Sequence, residues 1–106
     1  MKPVEFHVLL ALLEGDQHGY RVMKDLERRS GGRVRVGPAT LYDTIGRLEK
    51  AGMLAEARER PDPELDDRRR KYYRLTRFGK RVLRAESERL AELISFARAN
   101  LADVGE

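Results

Sequence analysis

The sequence has no cysteine and no tryptophan, only four prolines, and no long apolar run. Without cysteine there are no disulfides, no thiolate nucleophile, no Cys-ligated zinc and no iron–sulfur cluster. The longest unbroken apolar stretch, Val8 to Leu13, is far short of the roughly 18 to 20 residues that cross a bilayer. No charged-then-apolar leader precedes it, so a cytoplasmic protein with no membrane partner is expected. Nothing in the sequence marks an enzyme. His7 and His18 have no metal-ligand spacing, there is no Gly-rich phosphate loop, and no Ser or Thr sits in a nucleophile motif. No cofactor and no metal are therefore expected. His18 beside Asp16 is read as a local hydrogen bond.

What is present fits one small, strongly solvated helical domain. The chain has 106 residues, enough for a single core. A core of that size buries only about 60 to 65% of the unfolded surface, so help from a second chain is expected. The net charge is modest at +4, but its distribution is uneven. Eight basic residues and no acid lie between Arg68 and Arg81, directly after a stretch, Glu56 to Asp67, that carries six acids. A positive block of this kind is a candidate contact for a polyanion.

The apolar patterning places the elements. Pro3 to Glu14 reads as a helix that is apolar nearly all round, which calls for neighbours on two sides. After Gly15-Asp16-Gln17 a second helix spans about His18 to Ser30 and stops at Gly31-Gly32. Arg33 to Val36 alternates polar and apolar residues, as a brief extended segment does. Gly37-Pro38 opens a third helix, with Leu41, Ile45 and Leu48 as its core stripe and Gly52 as its stop. Its other face carries Ala39, Asp43, Gly46, Arg47 and Lys50, flanked by Thr40 and Tyr42.

Leu54–Arg60 and Arg69–Leu75 read as a hairpin around a long tip containing Pro61 and Pro63. Alternation puts Tyr73 and Leu75 on one face and Tyr72 and Arg74 on the other. Tyr20 and Tyr73 are read as core residues, and Gly79 as a point of close packing between helix and wing. Thr76 caps a last helix to about Ala102, roughly 40 Å long, with a heptad-like seam through Leu83, Ser87, Leu90, Ile94, Ala97 and Leu101.

Three helices, a hairpin and a long arm describe a mainly α fold with a small β-hairpin. This is a winged helix-turn-helix over 1–75, followed by a C-terminal dimerisation helix over 76–106, in one continuous unit. A Pro-started helix with small outward residues can enter a major groove, while a basic hairpin beside it meets phosphates. The alternative is a winged helix that docks other proteins and binds no DNA.

Four segments also resemble the PadR-like transcriptional regulators: Leu9-Leu10-Ala11-Leu12-Leu13 with His18-Gly19-Tyr20; Thr40-Leu41-Tyr42; Leu48-Glu49-Lys50-Ala51-Gly52-Met53-Leu54; and Arg70-Lys71-Tyr72-Tyr73-Arg74-Leu75-Thr76 with Gly79. The resemblance implies a homodimeric DNA-binding regulator, usually a repressor, that occupies a double-stranded operator. Its third helix would read the major groove through Ala39, Thr40, Tyr42, Asp43 and Arg47. Its wing would meet the backbone through Arg68, Arg69, Arg70 and Lys71, since the acidic tip repels phosphates. The dimer interface would take Phe6, Leu10, Leu83, Leu90, Leu93, Ile94, Phe96 and Leu101, with a small apolar or aromatic effector as a candidate partner there. Arg21 departs from the family, which more often has an acid after the Gly-Tyr.

Overall fold

A computed structural model describes residues 1–57 and 71–102. Helix α1 spans Pro3–Ala11 and ends in a 3₁₀ turn, Leu12–Glu14; strand β1 is Gln17–His18; α2 is Gly19–Arg29; α3 is Pro38–Lys50; β2 is Leu54–Glu56; β3 is Tyr72–Leu75; and α4 is Arg77–Leu101. The strands form one antiparallel sheet in the order β1-β3-β2, with Gln17 opposite Tyr73 and Leu54 opposite Leu75. The winged-helix order expected from the sequence is therefore present, with one strand more than a hairpin.

The apolar stripes meet in a single core. Val8, Leu9 and Leu12 from the first helical segment pack with Val22 and Leu26 of α2, Leu41, Ile45 and Leu48 of α3, and Leu54, Tyr73 and Leu75 of the sheet. Thr44 joins the α3 stripe although it is polar. Its hydroxyl donates to the Thr40 carbonyl at 2.9 Å, which removes most of the cost of burial.

Several expectations are corrected. The third strand comes from Gln17–His18, within and just after the segment read as a break. In the segment from Arg33 to Val36, Val34 and Val36 pack on the core and the Val34 N–H donates to Ser30 Oγ at 2.9 Å, so its alternation reflects burial. Tyr20 lies 54% exposed because Gly19 and Val22 are the α2 residues turned inward at that end. Leu83, expected at the dimer interface, is 3% exposed within this chain's own core, because α4 lies against α1 over its first turns. The residues proposed for strand pairing beyond Glu56 and before Lys71 lie outside the described residues, except Ala57, whose N–H donates to the Tyr72 carbonyl at 2.7 Å.

Asp25 is buried, a feature that the sequence reading missed. Its carboxylate accepts from Gln17 Nε2 at 3.1 Å and from Arg28 at 3.2 Å, with Arg21 at 3.6 Å. Gln17 Nε2 also donates to the Ala11 carbonyl at 2.8 Å. One amide group thereby ties the end of α1 and the start of β1 to the middle of α2. The charge is tolerated in the interior because all its partners are donors.

A second knot joins α3, the wing and α4. Gly52 ends α3 in the left-handed region (φ +80), and the Met53 N–H returns to the Leu48 carbonyl at 2.9 Å. Thr76 Oγ1 donates to the Gly52 carbonyl at 2.6 Å and accepts from the Gly79 N–H at 2.9 Å, while its own N–H donates to the Met53 carbonyl at 3.1 Å. Gly79 lies so close to that Met53 carbonyl that a Cβ would overlap it. Further along, α4 is held to the chain start by Glu86, which faces the Met1 ammonium at 3.7 Å; the Arg89 guanidinium beside it holds the Glu86 carboxyl below its ordinary pKa.

Two predictions come from this packing. Gly79→Ala must displace backbone, so it should lower stability by about 2 to 3 kcal/mol, whereas Thr76→Val, which removes the cap, should cost about 1 kcal/mol. Both are read by denaturant unfolding. The second concerns pH. Burial first, then the negative fields of Tyr42, Glu49 and Glu56, raise the Tyr73 pKa above 10.0. The folded state then holds the phenol proton more tightly than the unfolded chain. This contribution is present below pH 10 and is lost as pH rises through the folded-state pKa. Tyr73→Phe should flatten the fall of unfolding free energy above pH 10.

Candidate nucleic-acid interface

Helix α3 is set on its neighbours by its buried stripe, so the opposite face is fixed by the 3.6-residue period. Leu41, Thr44, Ile45 and Leu48 point in, and Ala39, Thr40, Tyr42, Asp43, Arg47 and Lys50 are exposed. Pro38 occupies the first turn after Gly37, and this N-terminal end presents only the small Ala39 and Thr40 beside the ring of Tyr42. A surface of this shape can approach a groove floor closely.

Tyr42 is half-exposed and lies against Gly19, at the first turn of α2, where any Cβ would overlap its ring. The ring is thus both packing and surface. It braces α3 on α2 while its outer half stays accessible. Arg47 makes no ion pair with Asp43, the partner that helix spacing offers. Its Nη2 instead lies 3.3 Å from Thr44 Oγ1 and 4.0 Å from the Glu5 carboxylate of α1. A pair at that distance and exposure is weak, and Arg47 can be redirected to another acceptor at little cost.

The start of α2 flanks this face. His18 caps the helix, its Nδ1 accepting from the Arg21 N–H at 3.2 Å, and its ring meets Tyr72 of β3 edge-on at 5.3 Å. This accounts for His18 as a structural cap. Among the described residues, no three His, Asp or Glu side chains gather as a metal site. Tyr20 carries Lys24 over its ring at 5.4 Å, and Arg21 and Arg28 stay largely exposed while facing Asp25. Sequence reasoning passed over this basic, aromatic edge of α2. Its signal was there, with Arg21, Lys24 and Arg28 at positions i, i+3 and i+7 on one helix side.

Of the wing cations, Lys71 is exposed at the foot of β3. Arg68, Arg69 and Arg70 lie outside the described residues. The interface set is brought together only in part. Phe6 and Leu10 are partly buried against this chain's own core and Leu90 is partly exposed, while Leu93, Ile94, Phe96 and Leu101 are 51 to 69% exposed along the outer half of α4. Among the described residues no helix is long and apolar enough to cross a membrane.

Comparison with known proteins supports the same architecture. A transcriptional regulator of Mycobacterium tuberculosis is 33% identical over 90 residues, 85% of this chain and 78% of that protein. A solved transcriptional regulator from Clostridium thermocellum superposes with a TM-score of 0.72 at 26% identity, covering 91% of this chain and 87% of the other. The fold is also that of Bacillus subtilis PadR, solved in complex with operator DNA (TM-score 0.66, 19% identity, 79% of this chain and 46% of that one). The sequence pattern of the transcriptional regulator PadR-like family matches residues 8–85. The chain belongs to that family, one of transcriptional regulators and not of enzymes.

Proposed function

We propose that this regulator is a homodimeric repressor that acts in the cytoplasm by binding a pseudo-palindromic DNA operator. The observation that carries this reading is the outward face of α3, with small residues at its Pro-started end, the half-free Tyr42 and the loosely held Arg47. Ala39, Thr40, Tyr42, Asp43 and Arg47 are the groove residues, and Lys71 with Arg68, Arg69 and Arg70 supplies wing contacts to phosphates. The operator-bound Bacillus subtilis PadR, which shares the fold, supports DNA as the partner. Residues 1–75 form the reading head and 76–106 the pairing arm.

The dimer follows from α4. Leu93, Ile94, Phe96 and Leu101, 51 to 69% exposed, form a broad apolar surface on the outer half of α4 of the kind that a partner buries. A second copy covers them and sets two α3 helices one DNA turn apart. A small apolar or aromatic effector bound between the arms, near Phe6, Leu10, Leu93 and Phe96, releases DNA if it prefers another head spacing.

Fluorescence anisotropy on a mixed-sequence duplex across a salt series tests the DNA reading. Affinity should fall with a slope corresponding to about 6 to 10 phosphates, and Lys71→Ala should reduce that slope by about one. Arg47→Ala should cost about 1 to 3 kcal/mol on the operator. No binding at about 50 mM salt would favour a protein-docking role, since non-specific attraction acts on any duplex. For the arm, Phe96→Glu combined with Leu93→Glu should shift sedimentation from dimer to monomer while leaving the helix content unchanged.

A further inference from the structure

Four of the eight basic residues between Arg68 and Arg81 belong to none of the surfaces assigned above; Arg81 lies over the Phe78 ring at 5.7 Å, and the other three gather at one place. Arg74 leaves the outer face of β3, and Arg77 and Lys80 leave the first turns of α4. They line a cavity of about 470 Å³ at the foot of the wing, walled on its other side by Leu12, Leu13 and Asp16. No residue of α3 lines it.

The charge on this wall is not balanced. Among the described residues Arg74, Arg77 and Lys80 have no ion pair, although cations elsewhere are paired, Arg29 with Glu14 at 3.1 Å and Arg28 with Asp25 at 3.2 Å. Asp16 is the one carboxylate on the wall and is itself unpaired with any of them. Three like charges around one space repel one another, and an anion between them removes that repulsion.

We propose that this cavity is a binding site for a small phosphate-bearing ligand, a phosphoester or diphosphate, distinct from the surface that meets DNA. The choice of anion follows from the donors. Two guanidinium forks and an ammonium offer more donors and charge than one carboxylate can take up, whereas a phosphate dianion or diphosphate presents three or more strong acceptor oxygens. The volume lies within the range of small-molecule sites. Leu12 and the 54% exposed Leu13 give an apolar wall for the organic part. A ligand held here braces the 3₁₀ turn against the first turn of α4. That the site is separate from DNA rests on the reading of α3 given above.

Calorimetric titration of the whole protein with sodium pyrophosphate, without DNA and at about 50 mM salt, tests the proposal. Saturable binding of one pyrophosphate per chain is expected. Arg74→Ala and Arg77→Ala should each weaken it by about 10-fold or more, the scale of one charge-assisted hydrogen bond, and Arg47→Ala should leave it unchanged. In a parallel anisotropy measurement on duplex DNA, Arg74→Ala and Arg77→Ala should change affinity far less than Arg47→Ala. Heats that do not saturate, or an equal loss in Arg47→Ala, would overturn the site and reduce it to general charge screening. A loss of DNA affinity in Arg74→Ala as large as in Arg47→Ala would overturn it too, by placing these cations on DNA. If the wild type ignores duplex DNA yet binds pyrophosphate with the expected variant pattern, the reading of α3 has failed and the anion site stands.

Discussion

The hydroxyl of Thr76 holds together the parts of this molecule that must keep a fixed relation. It donates to the Gly52 carbonyl, where α3 ends, and accepts from the Gly79 N–H, where α4 begins, while the Thr76 N–H closes onto Met53 at the foot of the wing. One residue therefore satisfies unpaired groups at a helix end and at a helix start, which are the backbone positions that otherwise need water or separate caps. The contact of Gly79 with the Met53 carbonyl leaves no room for slack. The direction of α4 is thus set by the same atoms that terminate α3.

On the other side of the core, the Gln17 amide and the Asp25 carboxylate play a matching part. They fix where α2 lies against α1, and Tyr42 then transmits that placement to α3 by packing over Gly19. The exposed face of α3 is oriented by these contacts, and of its own residues only Tyr42 takes part. Apart from Tyr42, whose inner half packs over Gly19, its outward residues are free to differ without disturbing the fold. This is the division that a reading head requires: a packed scaffold behind, adaptable side chains in front.

Much of this was legible in the sequence. The buried stripe Leu41, Ile45 and Leu48, the alternation of Tyr73 and Leu75 against Tyr72 and Arg74, and the Thr76 cap all follow from the two structural periods and from capping chemistry. The missed features share a physical cause. Strand β1 has two residues, too few to show a period, and it exists because β3 offers an unpaired edge. Tyr20 and Leu83 were misplaced because an amphipathic pattern gives a face but not which neighbour covers it: α4 lies on α1 at Leu83, whereas Tyr20 stays half-exposed beside Lys24 of its own helix. Asp25 reads as a surface acid paired with its own helix neighbours Arg21 and Arg28, and only the arrival of the Gln17 amide from β1 completes the set of donors that makes its burial possible. The continuous basic run is likewise divided by folding, with Lys71 on the wing and Arg74, Arg77 and Lys80 around the cavity at its base.

The length of α4 has a geometric consequence. Its 25 residues make a rod of about 37 Å, anchored at one end by Thr76 and Gly79 and bare of local support over its outer half. A rigid rod pivoting at a tight anchor magnifies small rotations. A tilt of about 5° at the anchor moves the far tip by about 3 Å, close to the rise of one base pair. Substitutions along the outer half of α4 could therefore retune the gap between two reading heads by single base-pair steps while leaving every side chain of α3 untouched.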